Sequence, residues 1–197
     1  MLQKVWSCIL YLYSLVNFWQ CEPAQKLAVG HVNMQQYYGN WNFIAAAAGN
    51  KSALESFMLM DNTLYHLGQD NVPEKMLLLA GIRLVTDVCI TKNWTYHFNN
   101  EMEELVLEDR PQLKTEVFLA KCSDCIILQE TNFGETMYFK RSMLYARTQS
   151  LGQEYVDDFR EKAKCMGMKE FFVLPWKKEY CDIQSAQQRY KQLSRGT

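Results

Sequence analysis

From Asn62 to Ala146 the chain is a succession of short runs rich in Leu, Val, Tyr and Phe, broken by turn residues. Few folds accommodate that rhythm. Strands are expected near 62–67, 75–86, 90–99, 103–108, 113–120, 124–131 and 135–146. Gly68-Gln69-Asp70-Asn71-Val72-Pro73, Asn99-Asn100, Asp109-Arg110-Pro111 and Asn132-Phe133-Gly134 serve as turns between them. A run from Trp41 to Ala48 supplies an eighth strand at the front, although its four alanines would suit a helix equally well. Eight strands, each close to its predecessor, predict an all-β, eight-stranded antiparallel up-and-down barrel.

The flanks are less regular. Ser52-Ala53-Leu54-Glu55 has the form of a capping box and predicts a helical turn before the second strand. A second box, Ser150-Leu151-Gly152-Gln153, opens one flanking C-terminal helix over 150–167. Its apolar stripe is Leu151, Tyr155, Val156, Phe159, Ala163 and Met166, and Gly167 ends it. Phe171-Phe172-Val173-Leu174 reads as a further strand. The barrel region with its helix is thus 39–174, preceded by a polar lead-in over 21–38. A tail over 175–197 follows, expected to be loose after 181.

The chain has 197 residues, enough for one domain with a sizeable core. Its net charge of −1, with scattered Lys and Arg, gives no footprint for nucleic acid. Seven cysteines and two sequons, Asn50-Lys51-Ser52 and Asn93-Trp94-Thr95, point to an oxidising, secretory route. Lys4 followed by the apolar run Val5 to Trp19 has the form of a signal-peptide core. Phe18, Trp19 and Gln20 offer no small residues for cleavage, so residues 1–20 are expected to stay as an anchor. As a helix the run would span only about 22 Å, short of a bilayer's ~30 Å core and better suited to a lipid monolayer. The alternative is an ordinary signal peptide cut at a poor site.

Alternation within strands sorts the candidate site residues. Lys92, Trp94 and Tyr96 share one face, as do Ile126, Leu128 and Glu130. Met137, Phe139, Arg141, Met143 and Tyr145 share another, with a single charge among large apolar-bodied side chains. An arginine there is costly to bury unless it is paired or bound to a ligand. Either this face lines the barrel, or it points outward and Tyr138, Lys140 and Ser142 turn in. Ala45 and Ala47, with the charged interior, argue for a cavity. Cys122-x-x-Cys125 lacks a second pair or a nearby His, so neither a metal nor a cofactor is expected.

Gly39-x-Trp41 at the head of the first strand and Arg147 after the last resemble the two ends of a lipocalin barrel. In that family the indole closes the floor and the arginine lies over it. Further motifs resemble a lipoprotein-borne, lipid-carrying branch of the lipocalins. They are Trp94-x-Tyr96-His97, Arg110-Pro111-x-x-Lys114-Thr115-Glu116, Cys122, Glu130-Thr131 and Leu144-Tyr145-x-Arg147. The resemblance runs from the leader to about Cys181. It implies a secreted, monomeric carrier of sphingosine 1-phosphate, and of fatty acids as a further ligand class, held to plasma high-density lipoprotein or similar particles by residues 1–20.

Residue by residue, Arg110 matches the family's phosphate-binding arginine, and Lys92 stands where a second arginine is usual. Trp94 and Tyr96 match the family's aromatic ligand contacts, Glu130 the carboxylate facing the ligand's ammonium, and Arg141 a polar contact for acyl ligands. Tyr145 is added as ligand-binding from the face it shares with Arg141, and a hairpin turning near Phe133 would set Arg141 deeper than Glu130. Gly39, Trp41 and Arg147 would form the floor. The family pairing implies bridges Cys21–Cys165 and Cys89–Cys181. Tyr155 replaces the helix cysteine of a third bridge, so Cys122 either pairs with the extra Cys125 or stays free. The family's sequon before the ligand-facing glutamate is absent, with Gln129 in its place. Asn50 is the expected glycosylation site, whereas Asn93 lies beside pocket residues on a strand and is not expected to be used. Two other functions compete: a lipocalin-type enzyme using an interior cysteine thiol on a lipid, and an interaction module whose barrel is filled by side chains.

Overall fold

The computed structural model describes residues 21–183 except 29–32, 73, 100, 102, 103, 135 and 136, together with Trp6, Ser7 and Tyr11. The rest of the expected anchor 1–20, with Cys8, and the tail beyond 183 lie outside the described residues. The described strands are β1 (Gly39–Ala48), β2 (Met60–Gln69), β3 (Lys75–Leu84), β4 (Cys89–Asn99) and β5 (Glu104–Leu107). They continue with β6 (Leu113–Leu119), β7 (Cys125–Gly134), β8 (Met137–Ala146) and β9 (Glu170–Val173). From β1 to β8 each strand is antiparallel to the next, and β1 pairs with both β2 and β8, which closes the barrel. Among the described residues from 21 to 183, two α-helices accompany it, α1 (Glu55–Met58) and α2 (Gln153–Cys165).

The four alanines are strand, and a bulge decides which way they face. Phe43 pairs with Tyr145 but Ala45 with Leu144, so Ile44 is the extra residue and the alternation flips there. Ala46 and Ala48 therefore join Trp41 and Phe43 in the interior cluster. Ala45 and Ala47, expected inside, lie outside beneath Val156, Phe159 and Ala163 of α2. Their small side chains let the helix sit close on the wall.

Both expected capping boxes fail in detail. Before α1 the cap is Asn50, not Ser52: its Oδ1 accepts from Ala53 N at 3.0 Å and from Ser52 Oγ at 2.8 Å. The helix expected over 150–167 runs Gln153–Cys165, with Gly152 at its start and no side-chain cap from Ser150. Glu154 in the first turn complements the helix dipole instead. Gly167 does end it, at φ +81°, and Met168 N returns to Ala163 O at 3.0 Å. The Asn132-Phe133-Gly134 turn is also displaced, because those residues extend β7.

Segments outside the barrel cover open strand edges. Leu27 N donates to Val117 O and Leu119 N to Gln25 O, which fastens the lead-in along the lower part of β6. Trp176 N donates to Asp61 O, and the Asp61 carboxylate accepts from Lys177 N and Lys178 N, laying the tail along the start of β2. The tail expected to be loose after 181 is still packed at Ile183, which is buried. A β-carbon on Gly81 would collide with Ile183 Cγ2, so glycine is what lets the tail cross β3. Disulfides join Cys21 to Cys165, Cys89 to Cys181 and Cys122 to Cys125.

Candidate functional site: the barrel cavity

The barrel encloses a cavity of about 310 Å³, within the range of small-molecule sites (roughly 300–1,000 Å³). Lys92, Trp94, Tyr96, Arg110, Glu130, Arg141 and Tyr145 all line it, and so does Trp41. Arg141, Met143 and Tyr145 therefore face inward, and the outward alternative for β8 falls. The side chain of Met137 lies outside the described residues, and Phe139 packs against the interior cluster. Most of the remaining wall is aliphatic or aromatic, including Leu78, Ile82, Leu128 and Met143.

The floor is closed by groups that satisfy one another. Trp41 Nε1 donates to Tyr37 O at 2.7 Å from the 3-10 turn Met34–Tyr37. The Arg147 guanidinium lies 3.8 Å from the Trp41 ring centre. Its Nη1 donates to Asn40 O at 3.0 Å and its Nη2 to Gln36 O at 2.8 Å. Gly39 makes this approach possible: its φ is +103°, and a β-carbon there would stand 3.3 Å from Arg147 Nη1.

Halfway up, Glu130 and Arg141 are direct cross-strand partners of β7 and β8. Arg141 Nε and Nη2 both donate to Glu130 Oε2, at 2.7 and 2.6 Å. The guanidinium carbon is also 4.5 Å from the Phe57 ring centre and 4.8 Å from that of Phe139. The pair is largely enclosed, at 16% and 11% side-chain exposure. The expected difference in depth is thereby corrected. A hairpin turning near Phe133 would have set Glu130 above Arg141; β7 instead runs to Gly134, and the longer hairpin makes them level.

Three phenols, Tyr65, Tyr96 and Tyr145, also line the cavity. Burial pushes the Tyr65, Tyr96 and Tyr145 hydroxyls above the ordinary tyrosine value, and the negative charge of Glu130 adds to the effect in all three. They stay protonated as donors across the physiological range. Tyr65 hydrogen-bonds Tyr145, and their rings meet edge to face at 5.4 Å.

Toward the open end, Lys92 and Arg110 line the cavity while remaining exposed. Among the described residues neither is in an ion pair. Arg110 sits in the β5–β6 turn, whose backbone closes through Arg110 N to Leu107 O and Leu113 N to Arg110 O. Lys92 enters three residues into β4. Phe57 and Tyr65 were not singled out from sequence, although both line the cavity. The signal for Phe57 was its place in the short helical turn. For Tyr65 it was the alternation of β2 with Leu67.

The family profile described as "ApoM domain" matches residues 1–185. Apolipoprotein M of Rattus norvegicus is 33% identical, with 94% of this chain and 100% of the relative covered. The chain belongs to the apolipoprotein M family. The Mus musculus apolipoprotein M is 32% identical over the same shares. The fold has lipocalin neighbours among solved structures. Siderocalin Q83 superposes with a TM-score of 0.62 at 16% identity, covering 76% of this chain and 94% of its own. The siderocalin Ex-FABP does so at 0.60 and 15%, covering 74% and 93%. Apolipoprotein M membership, the lipocalin barrel and the open apolar cavity together support a lipid-binding carrier. The cavity also speaks against a barrel filled by its own side chains.

Proposed function

We propose that this apolipoprotein M family member is a secreted, lipoprotein-associated, monomeric carrier of sphingosine 1-phosphate, with fatty acids as a second ligand class. The observation that carries the reading is the arrangement of charge along one apolar cavity. Two cations without acidic partners among the described residues stand at its mouth, and a paired carboxylate lies half-way down. The phosphate rests at Arg110 and Lys92, and the alkyl chain descends toward Trp41, gaining ~0.8 kcal/mol for each methylene removed from water. Both contacts from Arg141 fall on Glu130 Oε2, so the ligand's ammonium approaches Oε1. A fatty-acid carboxylate would instead draw Arg141 away from Glu130.

Residues 1–20 are retained as the lipoprotein anchor, and Asn50, exposed beside the mouth, carries a glycan. Protein sequencing of secreted material from its first residue decides the anchor: a start near Cys21 or His31 removes it. The enzyme alternative needs a free thiol on the barrel wall, and the six cysteines among the described residues are all bridged.

Ligand titration by tryptophan quenching tests the head-group assignment, with Trp94 in the cavity wall as reporter. Losing a hydrogen-bonded charge partner costs about 1.5–3 kcal/mol, so Arg110→Ala lowers affinity for sphingosine 1-phosphate roughly ten- to a hundredfold. Sphingosine and fatty acids are little affected. Glu130→Gln penalises ligands carrying the amine and spares fatty acids. Equal weakening of phosphorylated and unphosphorylated ligands by Arg110→Ala would leave only a general lipid carrier.

A further inference from the structure

The sequon Asn93-Trp94-Thr95 lies among pocket residues in the sequence, and that position argued against its use. The fold removes the objection. Lys92, Trp94 and Tyr96 line the cavity, so alternation turns Asn93 and Thr95 to the outer face of β4. Asn93 is exposed there, as is Thr91.

Among the described residues the same stretch of β4 has an open edge. Toward β3 the strand is paired from Cys89 to His97. Toward β5 it is paired only from Tyr96 to Asn99. Thr95 O, on that second side, accepts from Glu108 N at 3.1 Å. Backbone groups two residues apart point to the same side of a strand, so Thr91 and Asn93 present theirs where β5 does not reach. Comparable edges on β6 and β2 are covered by Gln25–Leu27 and by Trp176–Lys178. An uncovered strand edge is a template for pairing with another chain.

We propose that Asn93 carries an N-linked oligosaccharide, and that this glycan shields the open edge of β4 from a second copy of the chain. The inference rests on the secretory route argued above, which delivers the chain to the donor, a polyprenyl-pyrophosphate-linked oligosaccharide. In the transfer, Asn93 Nδ2 attacks the anomeric carbon of the first sugar. The new N–C bond forms as the C–O bond to pyrophosphate breaks; the polyprenyl pyrophosphate leaves with that electron pair, and the Nδ2 proton passes to a base of the transferase. The acceptor is used while the chain is extended, before β3 pairs along it. Once the barrel closes, the sugar stands outside and leaves the cavity free.

The full chain is expressed in secreting animal cells and the medium protein is treated with peptide N-glycosidase in heavy-oxygen water. The expected result is Asp with heavy oxygen at position 93. Thr95→Val abolishes that label while leaving Asn93 in place, and Thr95→Ser restores it. In sedimentation, the glycosylated protein stays monomeric, whereas enzymatically deglycosylated protein and the Thr95→Val variant self-associate. An unmodified Asn93 in secreted protein overturns the site; if Asn50 is labelled in the same sample, the secretory reading stands. Protein found in the cytosol with neither sequon labelled overturns both. A labelled Asn93 whose deglycosylated form remains monomeric overturns the shielding role.

Discussion

The two ends of the barrel are built on opposite principles. At the floor every strong polar group is spent within the chain: the Trp41 indole on Tyr37, the Arg147 guanidinium on two carbonyls and an aromatic face. At the mouth, Lys92 and Arg110 project into the cavity without an acidic partner among the described residues. A satisfied end contributes to stability and is indifferent to the ligand's head group. An unsatisfied end contributes little to stability and discriminates between head groups. Between them the Glu130–Arg141 pair belongs to both kinds, since it is satisfied internally yet faces the ligand space.

The largest effect that tests this division is expected at the floor. Truncating a large buried aromatic costs about 3–5 kcal/mol, so Trp41→Ala should lower the Tm by on the order of 10 °C. Arg110→Ala should leave the melting curve where it is. Thermal denaturation of the two variants without ligand makes the comparison directly. A mouth variant that melts as early as the floor variant would show that Arg110 also holds the β5–β6 turn together.

The middle pair comes next. Arg141→Met leaves the Glu130 carboxylate enclosed without its counter-charge, which costs about 3 kcal/mol in a buried pair. The double variant Arg141→Met with Glu130→Gln should recover most of that loss, because no charge is then stranded. Urea denaturation of the three variants gives the coupling directly. Failure of the double variant to recover would mean that the contacts of Arg141 with Phe57 and Phe139 matter more than its charge.

Much of this organisation was legible in the sequence, for a definable reason. In β4, β7 and β8 the period-two pattern is unbroken, so which residues share a face with Trp94, Leu128 and Tyr145 follows from alternation, while the cavity decides that the face of β8 with Tyr145 turns inward. The floor was legible through the resemblance of Gly39-x-Trp41 and Arg147 to the two ends of a lipocalin barrel, and the structure brings these residues together. What was lost depended on register. The bulge at Ile44 carries no sequence mark within a run of small residues, and it exchanges the faces of Ala45 and Ala46. The level pairing of Glu130 with Arg141 depends on where the β7–β8 hairpin turns, and Asn132-Phe133-Gly134 has the composition of a turn while forming strand. Asn50 took the cap from Ser52 because the short helix begins with a 3-10 turn one residue after Asn50.

The smallest effect concerns the lead-in, which closes the lower wall near the floor. Lys26 Nζ lies 3.0 Å from Glu116 Oε1 on the outer face, and Lys114 Nζ stands 3.4 Å from the same oxygen. Burial alone would raise the Glu116 carboxyl, but the hydrogen bond from Lys26 and the charges of Lys114 and Lys26 outweigh it and hold the group below its ordinary value. A carboxyl lowered by folding contributes stability above its unfolded value of about 4.3 and loses it as pH falls through the lower folded value. Screening by water and salt limits the gain from such a pair to a few tenths of a kcal/mol, about the scale of a local opening. The readout must therefore be local. Leu27 N and Leu119 N hold the lead-in against β6, and their hydrogen-exchange protection should fall in acid once the intrinsic pH dependence is removed. Lys26→Gln should flatten that dependence, and high salt should do so in part. Protection that fell equally in the Lys26→Gln protein would assign the acid effect to another group. The lead-in would then be held by its backbone bonds and the Cys21–Cys165 bridge, leaving the lower wall as indifferent to charge as the floor beside it.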